Sequence, residues 1–136
     1  MPQLIWTRDL SVNVRVLDED HKQLFGLINE LQGAIKAGHS RAVLESVLDR
    51  LMEYTKIHLA REEEFLVQTG YRIAAAHAEE HCRMVQRVRD IRGRFNDGSV
   101  AMLSLELRAF LQNWWTVHIQ SSDSKYRSWL NAKGVF

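Results

Sequence analysis

The sequence is poor in residues that cross-link chains and in residues that interrupt helices. It has one cysteine, Cys82, and one proline, Pro2, among 136 residues. A single cysteine excludes an intramolecular disulfide framework and fits a reducing compartment. With its only proline near the start, the chain contains no later residue whose ring would kink a helix. A long apolar run is also absent, so no segment is predicted to span a bilayer.

An excess of charge of one sign is missing too. Eighteen basic and seventeen acidic residues leave a formal net charge of +1. No global field therefore draws the chain to nucleic acid or to an anionic membrane. One arginine-rich stretch is interleaved with apolar residues, which favours a solvated helix face, and it comprises Arg83, Arg87, Arg89, Arg92 and Arg94. The first residues contain no apolar signal-peptide core, so we expect a cytoplasmic location.

Apolar residues recur with helical periodicity through most of the chain, and no strand pattern competes with them. The predicted helices run from Asp18 or Glu19 to Ala37, from the N-cap Ser40 to near Gly70, from Ile73 to Phe95, and from about Ser99 to His118. The polar cluster 96–99 separates the last two. Their short connections favour antiparallel neighbours, hence an all-α, up-down-up-down four-helix bundle. We expect one domain over 1–136, with an extended N-terminal arm (1–17), the bundle (18–120) and a C-terminal segment (121–136) holding a short helical turn.

Five of the six histidines form a spaced set with two carboxylates: His21, His58, Glu62, His77, His81, His118 and Asp123. Residues four apart lie on one face of a helix, so His58 can share a metal with Glu62, and His77 with His81. Asp123 follows His118 by five residues, which places it about 140° around an ideal helix. The helix is therefore expected to end or distort there. The sixth histidine, His39, falls in a loop and is expected to be solvated.

The members of this histidine and carboxylate set lie in phase with the apolar stripes, so they are predicted to face the core. Burying ionised groups without partners would cost several kcal/mol for each group, which a marginally stable domain tolerates poorly. Coordination removes the conflict, because a metal neutralises the carboxylates and satisfies one nitrogen of each ring. The spacing therefore predicts a site for two metal ions.

Two other interpretations of these residues remain open. The segment His77-Ala78-Glu79-Glu80-His81 matches the inverted zincin pattern, in which two histidines bind zinc and Glu80 acts as the base of a hydrolase. A bundle without metal, used for interactions, is the other. Both leave most of the buried ligand candidates unexplained. Metal analysis distinguishes the three interpretations, which predict about two irons, one zinc or no metal.

The same residues resemble the hemerythrins, specifically the single-domain bacterial hemerythrins. The resemblance covers essentially the whole chain and is carried by Asp18-Glu19-Asp20-His21-Lys22, His58-Leu59-Ala60-Arg61-Glu62-Glu63, His77-Ala78-Glu79-Glu80-His81 and His118-Ile119-Gln120-Ser121-Ser122-Asp123. It implies two irons in a non-haem centre with a bridging oxo or hydroxo group, and O₂ as the ligand. It also implies that His77, His81 and His118 hold one iron, that His21 and His58 hold the other, and that Glu62 and Asp123 bridge them.

With both carboxylates bridging, the protein ligands and one solvent bridge fill roughly eleven of about twelve positions of two six-coordinate ions. The open position is expected on the iron with two histidines, and Phe25, Ile28 and Trp115 are candidates for the pocket wall. Trp115 departs from the family, which usually has a smaller aliphatic residue there. An indole packed between helices is the alternative interpretation of this residue.

The function expected from the resemblance is reversible O₂ binding without catalysis, for oxygen carriage, storage, delivery or sensing. A histidine-rich site favours reversible binding over the oxidative chemistry of carboxylate-rich di-iron enzymes, whose paired Glu-x-x-His motifs are missing here. Minor peroxidase-like activity or reaction with nitric oxide is the second possibility. An oxygen-consuming enzyme or a signalling protein would be the partner, and the oligomeric state stays open.

Overall fold

The computed structural model describes residues 3–96 and 100–136 of the chain. Its α-helices are α1 (Arg15–Lys36), α2 (Arg41–Gln68), α3 (Ala74–Gly93), α4 (Val100–His118) and α5 (Ser124–Ala132). Two short 3₁₀ turns (Arg8–Leu10 and Arg94–Asn96) and one π-helical turn (Ile119–Asp123) complete the helical structure, and the described residues contain no strand. Each of α1 and α3 packs against both α2 and α4. The predicted all-α four-helix bundle is confirmed.

Helix α1 begins at Arg15, ahead of the predicted start at Asp18 or Glu19. Asn13 adopts a left-handed conformation with φ 56°, and asparagine tolerates this region better than most residues. The Asp18 carboxylate then accepts hydrogen bonds from the Val12 backbone N–H at 2.8 Å and from the Ser11 hydroxyl at 2.6 Å. Asp18 therefore holds the preceding loop from within the first turn of α1, and this helix includes residues 15–17 of the predicted arm.

The N-terminal arm packs over the bundle. Val12 and Val14 are fully buried. The Asn29 side chain of α1 accepts a hydrogen bond from the Leu4 backbone N–H and donates one to the Leu4 carbonyl, each at 2.8 Å. From α5, Asn131 donates to the Asn13 carbonyl at 2.9 Å. The arm thus joins the first helix to the last.

The helix ends agree with the predicted turn residues. Gly38 (φ 66°) and Gly70 (φ 71°) follow α1 and α2 in the left-handed conformation that ends many helices. Within the predicted break at 96–99, residues 97–99 lie outside the described residues. The C-terminal element is longer than the predicted short turn: α5 spans nine residues and buries Tyr126 and Leu130. In the described part of the chain, no helix is both long enough and apolar enough to cross a membrane.

Helix α4 faces the core differently from the prediction of its apolar periodicity. The repeat of Leu107, Leu111, Trp114 and His118 predicts that Trp114 lies on the inner stripe. The fully buried indole is that of Trp115, four residues after the buried Leu111 and four before Ile119. Trp114 is half-buried at the side of this stripe. The indole that reaches the interior is consequently the one that departs from the resemblance.

Candidate metal centre

The side chains of the predicted ligand set meet in the interior of the bundle. They form two groups whose potential ligand atoms lie within 4.8 Å of one another: Glu62, His77, His81, His118 and Asp123 in one, and His21, His58, Glu62 and Asp123 in the other. No member is more than 4% exposed. Each long helix contributes at least one histidine, because the ligand spacing follows the helical repeat that buries the apolar residues. His39 is exposed, as expected.

The two groups share Glu62 and Asp123, and each carboxylate presents one oxygen to each group. Glu62 Oε1 lies 2.6 Å from His77 Nε2 and 3.1 Å from His81 Nε2, whereas its Oε2 lies 3.3 Å from His58 Nε2. Asp123 repeats this pattern, with Oδ1 at 2.9 Å from His77 Nε2 and Oδ2 at 3.3 Å from His21 Nε2. A carboxylate in this orientation suits two neighbouring cations, one at each oxygen.

A change of helix type brings Asp123 to the centre. The chain leaves α4 through the π-helical turn, whose repeat of i to i+5 places Asp123 over His118. Asp123 Oδ1 accordingly lies 3.0 Å from His118 Nε2. Two serines bond back to carbonyls four residues earlier, Ser121 to Val117 at 2.7 Å and Ser124 to Gln120 at 2.6 Å. Such contacts accompany bent helices, and the predicted distortion is confirmed.

Outer carboxylates hold three of the imidazoles by their second nitrogen. His58 Nδ1 lies 2.9 Å from Asp20, His81 Nδ1 lies 3.2 Å from Glu63, and His118 Nδ1 lies 2.8 Å from Glu80. A carboxylate at Nδ1 takes the ring proton there and turns the lone pair of Nε2 toward the interior. The sequence pattern did not predict this role for any of the three acids, and Glu80 was predicted only as the base of the zinc hydrolase alternative. The available signal was their position beside a ligand: Asp20 precedes His21, Glu63 follows Glu62, and Glu80 precedes His81.

Two tyrosines extend this outer layer. Tyr54 donates to Asp20 Oδ1 at 3.1 Å, and Arg61 approaches the same oxygen at 2.7 Å. Burial raises the pKa of the Asp20 carboxyl, but the hydrogen bond and charge of His58 outweigh this effect, so the pKa is lowered overall. On the other side, the buried Tyr126 hydroxyl donates to Glu62 Oε2 at 2.9 Å. Burial and the nearby carboxylates of Asp123 and Glu62 raise the pKa of Tyr126, so this hydroxyl keeps its proton.

Without metal, the inner groups would hold protons between them. Burial lowers the pKa of the His58 imidazole, but the hydrogen bond of its Nδ1 to Asp20 and the Glu62 carboxylate beside its Nε2 outweigh this effect and raise the pKa to about 9. The same balance, with Asp123 and Glu62 as partners, raises the pKa of His77 to about 10. Burial opposes ionisation of the two carboxyls, yet their histidine partners hold the pKa of both below the ordinary range. A cation that binds here must displace these protons.

The unsatisfied atoms of the site fit metal ions. In the described structure, both ring nitrogens of His21, Nε2 of His58 and both oxygens of Asp123 are buried without a hydrogen bond, although ion-pair partners lie near. His81 Nε2 and His118 Nε2 face each other at 3.1 Å. Ligand atoms about 2.1 Å from one cation and at right angles are about 3 Å apart. The spacing of these lone pairs is that of a coordination shell. Together, the fold and the site define a metal-binding four-helix bundle.

Comparison with known proteins identifies the family. Residues 12–130 match the family described as Hemerythrin HHE cation binding domain. The bacteriohemerythrin of Stenotrophomonas maltophilia is 34% identical over 132 residues, which cover 97% of this chain and 84% of the relative. That of Methylococcus capsulatus is 30% identical over 133 residues, covering 97% of this chain and 100% of the relative. The chain belongs to the hemerythrin family.

A solved structure agrees with this assignment. A crystal structure of wild-type hemerythrin superposes with a TM-score of 0.86 at 28% identity, covering 95% of this chain and 98% of the other. The bacteriohemerythrin of Pseudomonas aeruginosa adds a relative at 33% identity over 126 residues, covering 93% of this chain and 80% of the relative. The resemblance seen in the motifs therefore extends to the fold.

The three predicted pocket residues are all buried, and Trp115 can be placed against the site. Its ring centroid lies 5.4 Å from that of His58 and 5.9 Å from that of His21. Phe25 and Ile28 follow His21 on α1 by one and two helical turns and share its inward face. Trp114 instead stacks on the outer side of the cluster, with its ring 4.2 Å from that of His118 and an interplanar angle of 16°.

Proposed function

We propose that this protein binds O₂ reversibly at a non-haem di-iron centre. The observation that supports the proposal is the pair of ligand groups joined by Glu62 and Asp123, each carboxylate with one oxygen toward each group. Five imidazoles and two carboxylates form a donor set that suits iron, which accepts nitrogen and oxygen ligands together. When bound, the two irons supply the electrons that O₂ takes up and gives back.

In this proposal, the two cations are held unequally. His77, His81 and His118 would hold one iron, His21 and His58 would hold the other, and Glu62 and Asp123 would be shared between the two. The side with fewer histidines then offers the open position. Three features support this assignment: the grouping of the ligand atoms, the orientation of the carboxylate oxygens, and the family to which the chain belongs.

The protein contributes orientation and exclusion of water. Asp20, Glu63 and Glu80 fix the rings of three histidines, and the Tyr126 hydroxyl fixes Glu62. Full burial of His21 and His58 limits access of water to the open position. We propose that Phe25, Ile28 and Trp115 form the apolar wall around it. Such a wall would disfavour delivery of protons to the bound O₂ and permanent loss of electrons from the metal ions. It would therefore favour reversible O₂ binding over oxidation of the metal.

The position of Glu80 disfavours the zinc hydrolase alternative. A catalytic base must reach the water on the metal, on the side of the imidazoles where Nε2 lies. Glu80 instead contacts Nδ1 of His118 and accepts a hydrogen bond from Ser122 at 2.7 Å, with its side chain 46% exposed. Glu80 is thus placed to orient His118 from outside. Carriage, storage, delivery and sensing share the proposed reversible step, and the cytoplasmic location stays a prediction.

Loading with iron(II) under anaerobic conditions, followed by exposure to O₂, tests the proposal. We expect about two irons per chain and a visible charge-transfer band that appears with O₂ and fades on deoxygenation. The same protein loaded with zinc alone is the control. Its metal content is measured in the same way, and it is expected to stay colourless. Binding of a single zinc in preference to iron, or conversion to iron(III) without the band, would contradict reversible O₂ binding.

A further inference from the structure

The indole of Trp115 is a buried hydrogen-bond donor beside the side of the site that carries two histidines. It is fully buried, and within the described structure its N–H has no acceptor. A buried N–H without a partner is unfavourable, so such groups usually have an acceptor in the functional state. By comparison, the Trp129 N–H donates to the Thr69 hydroxyl at 3.0 Å.

The indole ring of Trp115 lies against both histidines of the smaller group, His21 and His58. The rings of His21, His58 and Trp115 form a triangle, with centroids 4.6 Å apart for the histidines and 5.4 and 5.9 Å apart for the two indole contacts. Trp115 lies farther from the other group, with its ring 6.4 Å from that of His118. The inward-facing nitrogens, His21 Nε2 and His58 Nε2, do not accept the indole proton. Once they bind a cation, their lone pairs are engaged and the donor still needs a partner.

We infer that the Trp115 N–H donates a hydrogen bond to the small ligand that occupies the open position beside His21 and His58. This inference rests on the proposed function, because it requires that position to exist. A ligand that draws electron density from the cation becomes more negative, and a fixed N–H stabilises negative charge in a site without water. Trp115 is then a residue that determines which ligands the site prefers: those that accept a hydrogen bond. An aliphatic residue at this position has no donor to offer.

Azide provides a probe, because it binds iron(III) as a small anion and accepts hydrogen bonds. Two variants separate the donor from the bulk of the ring. Trp115→Phe removes the N–H and keeps an aromatic ring, whereas Trp115→Leu removes both. If the N–H contacts the ligand, azide binds about tenfold more weakly to both variants than to the parent protein. If Trp115 acts only by filling space, the phenylalanine variant resembles the parent and only the leucine variant differs.

Trp6→Phe is the matched control. Trp6 also has a buried N–H without an acceptor among the described residues, but it lies in the arm, where the Lys22 ammonium sits 4.5 Å from its ring. The same chemical change made there is expected to leave azide affinity unchanged. Iron content and melting temperature are measured first. If Trp115→Phe does not hold iron, the leucine variant is compared with the parent by the H₂O/D₂O shift of the bound azide band, which reports the N–H donor and not the bulk of the ring.

The infrared stretch of bound azide gives a second readout that is independent of affinity. In the parent, the band is expected to shift between H₂O and D₂O because the donor exchanges its proton, and the shift should shrink in Trp115→Phe. Equal affinity and equal shifts in the parent and both variants would overturn the hydrogen bond and leave the proposed function intact. Absence of azide binding in the iron-loaded parent would instead overturn the open position, and with it the proposed function.

Discussion

At the residue scale, Asp20 is the clearest example of a side chain that acts through a ligand. It is buried, contacts His58 Nδ1 at 2.9 Å, and receives hydrogen bonds from Tyr54 and Arg61. The charge of Asp20 favours a proton on Nδ1 of the ring, which leaves Nε2 free for a cation. Removal of its charge weakens this preference and also leaves Arg61 without its buried counter-ion.

We therefore predict that Asp20→Asn weakens metal affinity about tenfold to hundredfold, the range typical for an outer carboxylate that orients a ligating histidine. Competition with a chelator measures the change. Asp49→Asn is the control, because it removes a carboxylate of the same kind from an exposed ion pair with Arg92 at 2.9 Å. Equal metal affinity in the two variants would show that Asp20 does not orient His58.

Burial of Asp20 was not predictable from its spacing. In the sequence, Asp18, Glu19 and Asp20 form an acidic run near a predicted helix start, where such residues usually favour the helix dipole and face solvent. The structure separates them: Asp18 holds the preceding loop, Glu19 is exposed, and Asp20 is 2% exposed. The difference arises because α2 covers α1 at this position, and the covering helix comes from a distant part of the chain.

At the scale of elements, the π-helical turn Ile119–Asp123 explains how His118 and Asp123 belong to one site although they are five residues apart. A π turn contains one residue more than the corresponding α turn, so its ends lie over each other. His58 and Glu62 achieve the same alignment with a spacing of four in a regular helix. The wider π turn therefore compensates for the longer spacing, and both pairs of side chains are aligned along their helix.

This compensation predicts opposite effects for a deletion and an insertion. Deletion of Ser121 restores a spacing of four and an ordinary α turn, so the carboxylate stays over His118 and metal content is expected to remain near that of the parent. Insertion of one alanine after Ser121 gives a spacing of six, turns the carboxylate away and is expected to lower metal content. Metal analysis and circular dichroism measure both variants. Loss of metal in the deletion variant would show that the π turn itself, and not the spacing, positions Asp123.

At the scale of the whole molecule, the centre is a concentration of buried charge within an apolar bundle. The pKa values of His58 and His77 in the metal-free fold, about 9 and about 10, lie above the ordinary 6.5. Raised histidine pKa values contribute stability that is fully present below pH 6.5 and disappears as the pH rises through the folded values. The carboxyls Glu62 and Asp123, whose pKa values are lowered, contribute stability that disappears as acid protonates them.

We predict that the melting temperature of the metal-free protein falls as the pH is raised from 6.5 to 10. In the metal-loaded protein the fall should vanish, because the cation replaces the protons that are lost. Calorimetry of both forms over this range measures the effect, with His39→Asn, a change at an exposed histidine, as the control. A melting temperature of the metal-free protein that is constant or rises with pH would contradict the assigned ion pairs.

Helical periodicity and the spacing of ligand types are local properties of the chain, and they were sufficient to predict the bundle, the burial of the ligand set and the distortion before Asp123. The division of those ligands between the two cations remains a proposal. Packing between distant helices decided the rest: which acid supports which imidazole, which oxygen of Glu62 faces each group, and which of Trp114 and Trp115 enters the core. Periodicity fixes the face of a helix, whereas the rotation and height of that helix against its neighbours depend on contacts across the whole bundle.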